Sequence, residues 1–396
     1  MTWRKSAQVL ESSARAWSLS TTLPTPKIAW VSTWNTRCGI ASYSRHLVDH
    51  LSGNVRIFAP QTDALTQADE ATVVRCWRDD SRDNLESLLE QILAGDCDVV
   101  VLQFNYGFFE FLALSHFLEA LCDAGKKVVI TLHATVDPVH LENKKLSMLA
   151  SALARCDRVL VHSIADLNRL KNIGLVQNVT LFPQGVLDAR QMNLSPTMVS
   201  KKSTDEIWIA SYGFFLPHKG LLELIDAFAL LLTKYSHLRL RMVNAQYPAP
   251  ISAQLILEAQ EKIAKLGLGE HIDLHTDYLP DVQSLALLQA SDLIVFPYQH
   301  TGESSSAAVR QGIAAGKPIA VTPLAIFDDV ASAAHVLPGT SVSHIAQGLE
   351  RILQDMQEGQ AHFKATEVRA AQWRLEHYYP VLARRLMAMM QGLARA

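Results

Sequence analysis

Short apolar runs rich in valine, isoleucine and leucine recur along this chain, separated by stretches whose apolar positions fall three and four residues apart. Six runs occupy the first half, at residues 27–32, 55–59, 98–103, 127–133, 158–162 and 179–182. Five more follow at 207–211, 238–243, 272–275, 293–296 and 319–322. Most do not alternate apolar with polar positions. A strand that is apolar on both sides is buried on both faces, which is the pattern of a parallel sheet covered by helices. The two sets predict an α/β protein with two Rossmann-like, doubly wound domains.

The polar stretch 193–206 contains Pro196 and interrupts this pattern, so it marks the boundary. The domains then run over 27–195 and 205–375, with a helix at 376–396 rejoining the first. The helical pattern from residue 370 onward is broken at Pro380. In the extension 1–26, Trp3, Ala7, Leu10, Ala14 and Trp17 line one helical stripe. Such a stripe packs on its own protein, or lies on a partner or a membrane surface.

Composition narrows the picture. The chain has 396 residues, 49% of them apolar, which is ample for two cores. A formal charge of -3 gives no global attraction to nucleic acid. Cys38, Cys76, Cys97, Cys122 and Cys156 are odd in number, scattered and free of any Cys-x-x-Cys pair. Neither a disulfide framework nor a zinc site is expected, and a reducing cytoplasm fits. No apolar run is long enough to span a membrane, and residues 1–26 lack the continuous apolar core of a signal peptide. The expected setting is the cytoplasm, including peripheral contact with the inner membrane face.

Chemistry-bearing residues sit where strands end. Glu303, Ser304, Ser305 and Ser306 fall between the run at 293–296 and a helix that stops at Gly316, Lys317 and Pro318. That is the carboxyl end of a strand and the amino end of a helix, where parallel sheets bind ligands. The free N–H groups and dipole of a helix start suit a phosphate. A second such place holds Gly213, His218 and Lys219, ahead of an amphipathic helix at 221–232. A lysine at a helix start opposes the dipole, so Lys219 is placed for an anionic partner. In the first half, residues 32–47 follow a strand and open a helix. Gly39 offers bare backbone there, with Asn35 and Arg37 beside it. This is not the Gly-x-Gly-x-x-Gly fingerprint. His133 ends one strand and Asn105 follows another. Asp96 and Asp98 have the spacing of a metal-binding pair but precede their strand, at the end where active sites do not form. No metal is expected.

Taken in order, the Gly39 loop, the Lys219 loop, Glu303 with its serines and the Gly316-Lys317-Pro318 stop resemble glycosyltransferase family 4, over residue 27 to the end. The resemblance implies the GT-B fold, two Rossmann-like domains facing across a cleft. It implies a retaining, metal-independent hexosyltransferase that needs no cofactor. The partners implied are a nucleotide-diphosphate sugar donor, with GDP-mannose the first expectation, and a glycan or lipid-linked glycan acceptor of surface-polysaccharide or lipopolysaccharide synthesis. It gives catalysis to Glu303, Lys219 and His133, and donor binding to Gly39, Gly213, His218, Ser304, Ser305, Ser306 and Gln311. Asn35, Arg37 and Asn105 fall on the acceptor side, and Pro183, Gln184 and Gly185 match an interdomain turn. Two positions depart from the pattern. Gln311 stands where a second glutamate holds the ribose hydroxyls, and Phe214 where an arginine helps bind phosphate. Asn105 also stands where an acidic residue is frequent. These missing charges sustain a second expectation, a non-catalytic sugar-nucleotide-binding subunit of a glycan-synthesis complex.

Overall fold

The computed structural model describes residues 25–395 apart from 81, 140, 193–204, 302 and 304. The apolar stripe at 3–17, most of the boundary stretch and Ser304 lie outside the described residues. The first sheet runs in the order β3-β2-β1-β4-β5-β6-β7 and every pair is parallel. Its strands are β1 (Ile28–Val31), β2 (Val55–Pro60), β3 (Val73–Trp77), β4 (Val99–Phe104), β5 (Lys127–Leu132), β6 (Arg158–Val161) and β7 (Val179–Leu181). The second sheet, also wholly parallel, runs in the order β10-β9-β8-β11-β12-β13. It contains β8 (Ile207–Phe214), β9 (Leu238–Ala245), β10 (Ile272–His275), β11 (Leu293–Phe296), β12 (Ile319–Val321) and β13 (His335–Val336).

The unalternated runs explain the central strands. Every residue of β4 and of β11 is buried, with helices on both faces. The hydropathy pattern does not reveal β3 or β13. Both lie at a sheet edge; β3 is mostly half-buried and β13 is two residues long.

Six helices place the site: α1 (Gly39–Val48), α2 (Leu221–Leu232), α3 (Asp281–Gln289), α4 (Ala307–Ala314), α5 (Ala361–His377) and α6 (Tyr379–Leu393). The chain crosses between the sheets twice, side by side. Val186 N–H donates to the His377 carbonyl at 2.9 Å, and Tyr379 N–H donates to the Val186 carbonyl at 3.1 Å. A Cβ on Gly185 would lie 2.5 Å from the Tyr379 ring, so this crossing requires glycine. The helical break comes at Tyr378, and Pro380 sits in the first turn of α6, where its missing N–H costs nothing. Leu382, Leu386 and Met390 of α6 then bury against Trp30, Val99 and Leu160 of the first sheet. Among the described residues, no helix is long and apolar enough to cross a membrane.

Candidate active site

In each sheet the strand order reverses once, between β1 and β4 and between β8 and β11. At such a switch point neighbouring loops diverge and leave a crevice at the carboxyl ends of the strands. Residues from both crevices line a single cleft of about 500 Å³. Gly39, Tyr43, Asn105 and His133 face it from the first sheet, and Gly213, Lys219, Glu303, Ser305, Ser306 and Gln311 from the second.

The end of the cleft around Lys219 and Ser306 is built by backbone geometry. Ser306 caps α4, its Oγ accepting from Val309 N–H at 3.3 Å. Gly220 has φ +68° and approaches the Pro297 carbonyl so closely that a Cβ would stand 1.9 Å from its oxygen. Gln299 N–H closes the same junction by donating to the His218 carbonyl at 2.9 Å. Lys219 is thereby carried from the end of β8 to the end of β11. Its ammonium lies 4.0 Å over the Tyr298 ring and 3.6 Å from Glu303. Burial opposes the charge on Lys219, but Tyr298 and Glu303 outweigh it and raise its pKa. A buried lysine thus remains charged beside a helix start, an arrangement that attracts an anion.

Deeper in the cleft, buried Arg310 donates to the Ser306 carbonyl at 2.8 Å and pairs with Asp329. Gln311 donates to Asp281 Oδ1 and to Ser284 Oγ, both at 3.2 Å. Phe214 ends β8 and stacks on Tyr278, with ring centres 5.9 Å apart, while Tyr247 meets it edge-on at 5.2 Å. An aromatic cluster therefore occupies the position where the family pattern has an arginine. His218 does not replace the missing charge. Burial, with Lys219 beside it, lowers its pKa to about 4, and its Nε2 is buried without a partner.

On the opposite wall His133 belongs to a buried chain. The Phe182 carbonyl can only accept, so His162 Nδ1, 2.9 Å away, carries a proton. His162 Nε2 is then an acceptor for His133 Nδ1 at 3.1 Å, and His133 Nε2 faces the Gln103 side chain at 2.8 Å. Both ring nitrogens of His133 are turned into the first domain. His133 lines the cleft with both nitrogens engaged in this way. Burial, with His162 beside it, holds His133 well below the ordinary histidine value, and burial lowers His162 to about 4. An unfolded chain would protonate both rings below about pH 6.5. Between that pH and the lower folded values the unfolded state binds more protons, so stability falls as pH falls. Melting temperatures measured from about pH 7.5 to about 4.5 should decline, with a shallower decline in His162→Gln. A melting temperature independent of pH would contradict this assignment.

Other expected positions divide. Gly213, with φ +133°, and Asn105 line the cleft. Gly39 opens α1, and a Cβ there would meet nothing within 4 Å, so bare backbone faces the cleft. Asn35 is not among the residues that line the cleft. In the left-handed region at φ +52°, it donates to Asp69 at 3.0 Å and accepts from Gln67 at 3.0 Å, so it holds the 62–70 loop. Arg37 is exposed at the rim, 5.9 Å over the Tyr278 ring. Asp96 pairs with Lys27, and Asp98 accepts from the Lys27 N–H at 2.8 Å, both at the amino edge of the first sheet. Tyr43, His46, Tyr278 and Asp281 line the cleft and carry no assignment from the sequence, and Arg310, expected to offset the missing arginine at Phe214, lines it too. Tyr278 lies in the loop after β10 and Asp281 opens the next helix, so the rule that ligands meet strand carboxyl ends reaches them.

Known proteins share this architecture. The chain matches the family model "Glycosyltransferase Family 4" over residues 38–190 and the model "Glycosyl transferases group 1" over residues 198–367. Among solved structures, HepE from Anabaena in complex with UDP and glucose superposes with a TM-score of 0.72 at 15% identity, covering 93% of this chain and 100% of that one. A trehalose-phosphate synthase from Burkholderia xenovorans in complex with glucose-6-phosphate gives 0.68 at 14% identity, covering 92% and 100%. A glycosyltransferase from Rickettsia africae gives 0.71 at 14%, covering 93% and 98%. Comparison with curated proteins finds no match. The fold is that of the GT-B glycosyltransferases. The chain belongs to glycosyltransferase family 4 and is a transferase.

Proposed function

We propose that this protein moves a sugar from a nucleoside diphosphate sugar to a glycan or lipid-linked glycan acceptor, with retention at the anomeric carbon. The observation that carries the reading is the buried, charged Lys219 beside Glu303 at the start of α4, facing the first sheet across the cleft. As the bond from the anomeric carbon to the phosphate oxygen breaks, negative charge gathers on the diphosphate. Lys219 and the α4 N–H groups meet that charge, and no metal is required for this role. Glu303 accepts hydrogen bonds from donor-sugar hydroxyls and faces the positive charge developing at the anomeric carbon. The acceptor hydroxyl attacks, and its proton passes to the departing phosphate oxygen. His133 and Tyr43 form the wall opposite. Asn105 lies on the acceptor side, within the first-sheet half of the cleft.

HepE was solved with UDP, which favours a uridine nucleotide over GDP-mannose as the first donor to test. Thermal unfolding in the presence of UDP, GDP and their sugars should show a shift with one nucleotide series, because a ligand bound only to the folded state stabilises it by mass action. Incubation of that donor with candidate glycans should then release nucleotide and form product. The absence of any shift across both series would count against the reading. Binding without turnover would favour the non-catalytic subunit, which Phe214 and Gln311 motivate.

A further inference from the structure

Three carboxylates line the cleft, Asp277, Asp281 and Glu303. Glu303 is engaged with Lys219 at the phosphate end. Asp281 lies elsewhere, and its surroundings define what it can hold. Gln311 donates to its Oδ1 at 3.2 Å. The other oxygen faces His46 of α1 at 3.3 Å, so the carboxylate stands at the junction of the two halves. Gln311 follows Ser306 by five positions on α4, about 7.5 Å along the helix axis. Three residues before Asp281, Tyr278 begins the cluster with Phe214 and Tyr247. The cleft thus holds Lys219 with Ser306, the Gln311–Asp281 pair and three aromatic rings.

A nucleoside diphosphate carries phosphates, vicinal ribose hydroxyls and a planar base, and the cleft offers a group suited to each. A carboxylate accepts from two neighbouring hydroxyls at once, with charge-assisted hydrogen bonds, whereas a neutral amide provides no such charge. Gln311 therefore does not replace a ribose-binding glutamate by itself. Its amide nitrogen instead fixes a carboxylate that comes from α3.

We infer that Asp281 is the ribose-binding carboxylate of this cleft and that Gln311 is the positioning residue that orients it. This rests on the proposed nucleotide-sugar reading.

The test compares ribose and 2′,3′-dideoxyribose forms of UDP and GDP, titrated calorimetrically into the full chain and its variants. The wild type should bind the ribose form roughly tenfold or more tightly than the dideoxy form of the same nucleotide. Asp281→Asn should abolish that preference, lowering affinity for the ribose form and leaving the dideoxy form unchanged. The unchanged dideoxy affinity shows that the variant remains folded. Gln311→Leu should reduce the preference without abolishing it. If Asp281→Asn keeps the preference, or weakens both forms equally, the inference is overturned while nucleotide binding stands. If the wild type binds neither nucleotide in either form, the proposed function fails first and the inference with it.

Discussion

Replacement of Lys219 by alanine is expected to lower the rate of sugar transfer by roughly 10²- to 10³-fold. The magnitude is that of removing one preorganised electrostatic contact from a site where charge develops during reaction. Lys219 is the right residue for so large an effect because its ammonium is buried, charged and already held by Tyr298 and Glu303. No reorganisation is needed when the phosphate departs. His218 is neutral, and Arg310 is committed to Ser306 and Asp329, so neither substitutes for it. Lys219→Met, which keeps most of the side-chain volume, should lose a similar factor. That agreement would separate loss of charge from loss of packing. Steady-state transfer, measured with the donor found by thermal shift, gives the answer. Undiminished turnover in both variants would remove Lys219 from the reaction.

A second large effect is expected from Arg310→Met, this time on stability. Buried Arg310 is paired with Asp329, whose side chain is 15% exposed, and the Oδ1 of Asp329 is buried without a partner. Ser305 contributes only a long contact to Asp329, at 3.4 Å. Loss of the guanidinium would strand a buried carboxylate, at a cost of about 3–5 kcal/mol. For a domain of this size the melting temperature should fall by roughly 6–20 °C. The double variant Arg310→Met, Asp329→Leu should regain most of the loss, because an apolar pair of similar volume removes the stranded charge. A single variant as stable as the wild type would show that water or a rearranged partner already satisfies Asp329. The Ser306 carbonyl also loses its Arg310 donor, so the cap of α4 should loosen in the single variant.

Much of the fold is legible in the chain because its signals are local. Fully buried parallel strands such as β4 and β11 must be apolar on both sides, and this shows as an uninterrupted run. The α4 boundaries are legible for the same reason: Ser306 caps the start, and Gly316 ends the helix at φ +74°. Edge strands carry a weaker signal. β3 is covered incompletely, contains Arg75 and pairs with one neighbour only, so its composition resembles that of a loop.

Side-chain partners are less legible. The Asn35 side chain looks available because it follows a strand end, yet Asp69 and Gln67 claim it from a loop more than thirty residues away. His133 also ends a strand, and His162 and Gln103 engage both its ring nitrogens. In each case the local position at a strand end is correct, but the hydrogen-bonding partners are distant in sequence.

The sequence by itself determined which segments become the buried strands and their helices, and which loops follow those strands, since periodicity and turn chemistry act over a few residues. It also placed Glu303, Lys219 and the serine-capped helix start after strand ends, where the cleft forms. Only the tertiary structure decided how the Phe214 and Gln311 departures are accommodated. An aromatic cluster surrounds Phe214, and Gln311 grips Asp281, 30 residues earlier in the chain. The physical reason is that a hydrogen bond depends on separations of about 3 Å in space. Those separations are set when whole helices pack on a sheet, and no local pattern of residues specifies them.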